Sequence, residues 1–328
     1  MRVAVTGSVA TDHLMRFPGR FADQLTPQQP HRLSVSFLVD DLQVHWGGVA
    51  ANVAFGMASL GVRPVLIAAV GSDFVDYRAW LERHGVDTSG VHVSERAGTA
   101  RFLCTIDAEH NQLGSFYAGA MSEARTIELA PILQRVGGVD LVLVGPNDPG
   151  AMLRHSAECR SRGVPFAVDP SQQLARMSDA DVQALVSGAA YLFGNDDEAS
   201  LTESKTGWSA EQVLEQVGVR VTTHGPLGAV VESRGQPAVS VPAPTELSQV
   251  DPTGVGDGFR AGYLAALAWG LGPRRCAEVG CMLATLVLET VGTQEYQLRR
   301  GHFLQRFADC YGEQAADEVA AHLHGVPI

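Results

Sequence analysis

Cysteine pairs at metal-ligand or redox spacing are missing from this chain. Its five cysteines, Cys104, Cys159, Cys276, Cys281 and Cys310, are scattered and form no CxxC pair, which excludes a zinc ribbon and a thioredoxin-like motif. They read as reduced core thiols, the state expected in the cytoplasm. Basic charge is also in deficit: 24 Lys and Arg stand against 36 Asp and Glu, a formal net charge of −12. No basic stripe exists to release phosphate counterions, so nucleic acid is not an expected partner. An anionic membrane surface is disfavoured on the same ground. Long apolar runs are absent too; stretches such as Cys281–Leu288 are too short to cross a bilayer. The first residues read as a strand rather than a secretory leader. His322 and His324 stand at the wrong spacing for one helical face, so no metal role is expected of them. There is no internal repeat, and no GxGxxG turn follows the first strand, which counts against an NAD-binding oxidoreductase.

What is present is an ordinary soluble composition, 45% hydrophobic and 18% charged over 328 residues, enough for one large α/β domain with an accessory piece or for two modest domains. Short apolar runs at 2–6, 65–70, 140–144, 165–168, 190–193 and 219–223 predict strands. Helical patterns lie between them, among them 50–60, 76–84 (stopped at Gly85) and 257–268. Ser178 before Asp181, and Ser209 with Gln212, mark two helix starts. Strands alternating with helices predict right-handed βαβ units and a mostly parallel sheet. Two segments break this rhythm. Residues 31–45 alternate through Leu33, Val35, Phe37 and Val39, and 91–117 hold β-rich pieces at 100–107 and 112–117. Alternation suits a half-exposed sheet, so both insertions predict a small lid over the main domain. The stretch 237–244 is read as a proline-rich connection.

The chemistry centres on Asp251-Pro252-Thr253-Gly254-Val255-Gly256-Asp257, which runs straight into a helical pattern. Glycines allow a sharp turn that brings several N–H groups to one point, and the helix N-terminus adds positive potential there. Together they suit a phosphoryl group in transfer. Asp257, on the first turn, is placed to accept a hydroxyl proton as that oxygen attacks phosphorus; taken alone it could equally be a helix cap. Three other pieces support phosphate chemistry. Thr223, Gly225 and Gly228 follow a strand and suit nucleotide phosphates. Asn195 to Glu198 offer an amide and a carboxylate to a hydrated Mg²⁺, or simply an acidic helix start. Gly47 and Gly48 precede a helix carrying Asn52.

In this order the four motifs, Gly47-Gly48…Asn52, Asn195-x-x-Glu198, Thr223-x-Gly225-x-x-Gly228 and Asp251–Asp257, resemble the ribokinase-like (PfkB) carbohydrate kinases over essentially the whole chain. The resemblance implies one ribokinase-like domain over 1–328, a Rossmann-like mostly parallel sheet with a β-sheet lid built from insertions at about 13–45 and 93–119. It implies ATP as donor, with GTP as the alternative, and Mg²⁺. Asp257 becomes the general base, with the N–H groups of Gly254, Val255 and Gly256 as anion hole. Glu198 would meet Mg²⁺ through water, and Asn195, Thr223, Gly225 and Gly228 would hold the nucleotide. Family members often bind K⁺ beside this loop, where Asp251 and Thr253 would contribute. Pro252 replaces the commoner Thr and Val255 the commoner Ala, and Leu227 stands where the nucleotide loop often carries Lys.

The acceptor hydroxyl is less directly legible. Ser8 and Asp12, past the first strand, suit a sugar diol, with Gly48 and Asn52 opposite. Phe102, Phe116 and Tyr117 could stack on a base, and Gln172 and Gln173 supply amides that can pair with a purine edge; each also has a bland reading as packing or solvated surface. The strings around Ser8–Phe21, Phe116–Ala124 and Asp169–Arg176 resemble the actinobacterial, adenosine-phosphorylating branch of the family. That branch implies transfer from ATP to adenosine in purine salvage. Ser8, Asp12, Gly48 and Asn52 would then hold the ribose, Phe102 and Phe116 sandwich the purine, and Gln172 and Gln173 lie near its edge. Arg176 would stabilise the moving phosphate. A sugar kinase acting on ribose or a fructose phosphate, and a non-catalytic nucleoside-binding regulator, are the competing readings. Unpaired lid edges, and the habit of relatives, imply a homodimer.

Overall fold

The structure is a computed structural model and describes residues 1–24 and 36–326. Strand β1 (Val3–Thr6) opens a large sheet; β2 (Ala10–Arg16) and β3 (Asp41–Gly47) leave it and pair with each other, and β4 (Val65–Ile67) returns beside β1. A two-stranded ribbon is formed by β5 (Ala69–Val70) and β6 (His92–Val93), while β7 (Ala100–Ile106) and β8 (Gln112–Tyr117) join the small sheet. The large one is completed by β9 (Leu141–Val144), β10 (Phe166–Val168), β11 (Tyr191–Asn195), β12 (Val219–Thr223), β13 (Ala229–Ser233) and β14 (Val239–Val241). Its order is β14-β13-β12-β11-β10-β9-β1-β4, parallel from β4 to β12 and antiparallel at β13 and β14. The strand order reverses between β1 and β9. In such a sheet the crevice beyond the strand C-termini at that reversal is where ligands bind.

Helices cover both faces. Val3 and Val5 pack into one core with the helices Val49–Ser59, Val255–Ala268 and Pro273–Leu288, whereas Ala4, between them, joins the core on the opposite face. Burial on both sides is why these strands read as unbroken apolar runs. Ser178 caps its helix by accepting from the Asp181 amide at 3.2 Å, and Ser209 and Gln212 form a reciprocal capping box. Four cysteines are buried, and Cys310 is partly so. No helix among the described residues is long and apolar enough to cross a membrane.

The small sheet runs β3-β2-β7-β8, and four expectations need correction here. The alternation over 31–45 does not mark its strand: β3 covers Asp41–Gly47, and Leu33 and Val35 lie outside the described residues. Phe37 instead packs on Phe17 and Phe21, with ring centroids 4.9 and 5.0 Å away. The sheet also begins earlier than position 13, at Ala10, because β2 is polar (Thr11, Asp12, His13) and carries no apolar alternation to betray it. Finally, 65–70 is two strands, not one, and the connection at 237–244 contains the edge strand β14.

Candidate active site

The turn before the Val255–Ala268 helix depends on Gly254, whose φ of +76° is left-handed and which would drive a Cβ to within 2.7 Å of the Thr293 side chain. Only glycine is at ease there. Asp251 ties the loop down: its Oδ1 accepts from the Thr253 amide at 2.9 Å and its Oδ2 from the Gly292 amide at 3.1 Å. A helix's first turn has no intrahelical acceptors for its N–H groups, and the Val255 amide reaches only the Pro252 carbonyl, at 3.4 Å. The amides of Val255 and Gly256 thus stand at the positive end of a 14-residue helix, next to Asp257.

Asp257 is half-buried, and its Oδ2 accepts from Asn52 Nδ2 at 2.8 Å. Burial pushes its carboxyl up to about 7. The Asn52 hydrogen bond and the Arg260 charge oppose the rise, and the Asp169 and Asp12 charges add to it. Desolvation wins because a carboxylate loses more hydration than one neutral donor restores. A group so placed is poised to take a proton near neutral pH.

Arg260 lies one turn further along the helix and is 5% exposed. It makes a bidentate pair with Asp169, at the end of β10, through Nε to Oδ2 (2.6 Å) and Nη2 to Oδ1 (3.0 Å). Its Nη1 donates to the Gly256 carbonyl at 3.1 Å, and Nη2 stands 3.6 Å from Glu198 Oε2. One guanidinium therefore joins the turn after β10, the anion loop and the helix after β11. Neither Arg260 nor Asp169 was expected in the site. The available signal was an arginine three residues after Asp257 within an Ala- and Leu-rich helix, where a buried cation needs a buried partner.

These groups wall one cleft of about 560 Å³, lined by Asn195, Glu198, Thr223, Gly225, Gly228, Gly256, Asp257 and Arg260 among others. Asn195 and Glu198 form a capping box: Asn195 Oδ1 accepts from the Glu198 amide and Glu198 Oε2 from the Asn195 amide, both at 2.9 Å. Asn195 keeps its NH₂ and the second lone pair of its oxygen for a ligand. Glu198 keeps its second oxygen for a hydrated cation. Gly225 and Gly228 both have positive φ, and His224 Nδ1 meets Asp196 Oδ1 at 2.7 Å, linking the loops that follow β11 and β12. Leu227 is 81% exposed and lies outside the cleft wall.

On the other side of Asp257, Gly48 (φ +93°) starts the Val49–Ser59 helix, and the Val49 amide donates to Ser8 Oγ at 3.1 Å. Register aligns Asp12 with His45, Phe102 and then Phe116 in one row on one face of the small sheet. His45 Nδ1 reaches Glu295 Oε1 at 2.7 Å, so this face addresses the 292–296 loop beside Asp257. Burial raises the Asp12 carboxyl to about 6, against the lowering influence of His45. Phe102 and Phe116 are cross-strand neighbours, and the Phe102 ring lies over Gly114. They stand side by side on the face that carries Asp12. Ser171 lines the cleft with φ +44°, a strained backbone for a non-glycine residue. Gln172 is exposed and accepts from Ser171 Oγ at 2.6 Å, whereas Gln173 is buried with its Oε1 unpartnered. Arg176 is exposed and does not line the cleft, which Arg260 does.

A doubly covered parallel sheet, a β lid and an aspartate beside a glycine-rich helix start define a phosphotransferase of ribokinase-like architecture. The pfkB family carbohydrate kinase model matches residues 6–299, and the chain belongs to that family. It is 32% identical over 271 residues to a nucleoside kinase of Methanothermobacter thermautotrophicus, covering 81% of this chain and 85% of that one. It is 26% identical over 263 residues to a nucleoside kinase of Methanocaldococcus jannaschii, covering 80% and 85%. The solved structure of Burkholderia thailandensis nucleoside kinase in complex with inosine superposes with a TM-score of 0.83, at 28% identity, over 95% of this chain and 99% of that one.

Proposed function

We propose that the protein is an adenosine kinase, moving the γ-phosphoryl group of ATP to the 5′-hydroxyl of adenosine to give AMP. The observation that carries the kinase reading is the Asp257 carboxylate beside the first-turn amides of the Val255–Ala268 helix, within one cleft with the Thr223–Gly228 loop. Asp257 takes the hydroxyl proton as the oxygen attacks. The amides of Gly254, Val255 and Gly256 receive the charge that spreads over the transferring group. Asn195, Thr223, Gly225 and Gly228 hold the nucleotide. Bound Mg²⁺ would neutralise triphosphate charge, and Glu198, which lines the cleft, would hold it through water. Asp251 and Thr253 are the residues for a K⁺ ion. Closure of the lid excludes water from the phosphoryl group.

A nucleoside acceptor is supported by the names of the relatives and by the row of Asp12, Phe102 and Phe116. Asp12, with Ser8, Gly48 and Asn52, suits the ribose diol, and the rings suit a flat base. For adenine in particular, Gln172 and Gln173 are the amides proposed to pair with the purine edge. We also propose a homodimer through the lid. The face opposite the Asp12 row leaves Leu42, Val44, Leu103, Leu113 and Tyr117 exposed, and among the described residues β8 is an edge strand. The test is ADP release from ATP and Mg²⁺ with adenosine, inosine, guanosine, ribose or fructose 6-phosphate. Adenosine is expected to give the highest kcat/KM; turnover on ribose without any on adenosine would overturn the assignment. Light scattering on Leu113→Lys, expected to run as a monomer beside a dimeric parent, tests the assembly.

A further inference from the structure

Behind Asn52 the polar chain continues into the protein. Trp80 Nε1 donates to Gln294 Oε1 at 3.1 Å, and Gln294 Nε2 donates to Asn52 Oδ1 at 2.9 Å and to Tyr77 Oη at 2.6 Å. Asn52 Nδ2 then donates to Asp257 Oδ2 at 2.8 Å. Tyr77 Oη itself donates to the Gly47 carbonyl at 2.9 Å. Gln294 is 1% exposed, Tyr77 1% and Asn52 6%, so no water competes freely for these groups.

The direction of this chain follows from its first member. An indole N–H donates and cannot accept. The group facing Trp80 must therefore be the oxygen of Gln294, which turns its NH₂ toward Asn52. Asn52 has to answer with its oxygen, and its own NH₂ is left pointing at Asp257. Thr293 Oγ1 stands 2.8 Å from the same Asn52 oxygen and 2.9 Å from the Trp46 carbonyl; its single proton serves one of them, so the orientation is set by Gln294. Turning either amide over would set donor against donor or acceptor against acceptor inside the protein, where an unmade hydrogen bond is costly. Tyr77 and Trp80 stand three residues apart on one face of the Val75–Arg83 helix, so a single rigid element grips Gln294 at both ends of its amide.

We propose that Gln294 is a positioning residue for phosphoryl transfer: held by Trp80 and Tyr77, it fixes the Asn52 amide so that an N–H, and not a carbonyl oxygen, faces the Asp257 carboxylate. Through Gly47, the same network touches the end of lid strand β3, one residue before the helix cap at Gly48. The proposal rests on Asp257 being the base.

The test is a double-mutant cycle on the full chain with ATP and adenosine. Gln294→Met, which keeps the volume and removes both donors, is expected to lower kcat roughly ten-fold, the worth of about one hydrogen bond, with KM for ATP unchanged. In an Asn52→Ala background the same substitution should change nothing further, because its target is gone. Equal losses in both backgrounds would overturn the relay. If Gln294→Met loses its cooperative thermal transition, Trp80→Phe replaces it, removing only the indole N–H; about three-fold is expected, again silent in Asn52→Ala, and equal losses again count against the relay. Asp257→Asn is measured alongside. Near-parental turnover there refutes the base assignment, whereas a dead Asp257→Asn with additive Gln294 effects refutes the relay alone.

Discussion

The surroundings of Asp257 and the lid sheet are built on opposite terms. Around Asp257 the polar side chains are buried and answer one another: Asp169 is 1% exposed, and Arg260 and Asn52 little more. On the lid every residue of β8 is exposed, with Leu113 and Phe116 each at 51%. The first region is finished before substrate arrives, which is what electrostatic catalysis needs, since its groups do not reorganise during the reaction. The second withholds apolar surface that a base or a second copy of the chain can cover. Chemistry is thus lodged in the rigid part of the molecule and recognition in the open part.

The contrast is broken most directly at the base. Asp257→Asn is expected to lower kcat about 10²- to 10⁴-fold while adenosine binding, measured by calorimetry, persists; turnover near the parental rate would place the base elsewhere. Asp169→Ala strips a buried guanidinium of its bidentate partner. It should cost about 3–5 kcal/mol in denaturant unfolding, and a loss under 1 kcal/mol would mean the region is less closed than its contacts indicate. Phe116→Ala probes the other side. It should raise KM for adenosine roughly ten-fold, the worth of one stacking ring, leaving KM for ATP and the unfolding midpoint nearly unmoved; equal shifts for both substrates would remove Phe116 from the acceptor site.

The smallest effect is one of pH. With its carboxyl raised to about 7, Asp257 is half protonated at neutrality, so activity belongs to the ionised form above that point. Between pH 7 and 6, kcat/KM should fall about five-fold, and a flat profile to pH 5 would contradict the burial effect. The stability contribution has the opposite sense. A carboxyl raised from 3.8 to about 7 stabilises the fold fully below 3.8, and that contribution is lost as pH rises through 7.

Much of the catalytic half is legible along the chain because its signals are local. Gly254 announces a left-handed turn, the helix after it follows from periodicity, and Asn195 with Glu198 reads as a helix start from three residues of spacing. The lid is half legible. β7 and β8 stand out as β-rich pieces, but β2 is polar and β3 sits at 41–47, where pairing with β2 rather than its own alternation makes it a strand. Arg260 and Asp169 lie 91 positions apart, and Gln294 lies 242 positions from Asn52. No local pattern links such pairs. Arg176, taken from the family resemblance, is exposed at the end of the 3₁₀ turn Ser171–Ala175.

By itself, then, the amino-acid sequence determined the alternating α/β architecture, the family and the chemistry of the Asp251–Asp257 loop. Backbone conformation and helix dipoles are set by neighbours in the chain. Only the tertiary structure decided which arginine enters the site, that Phe102 and Phe116 stand side by side, and which way the Asn52 amide points. Those outcomes depend on partners brought together from distant segments, and burial makes a missing partner too costly for any other arrangement to persist.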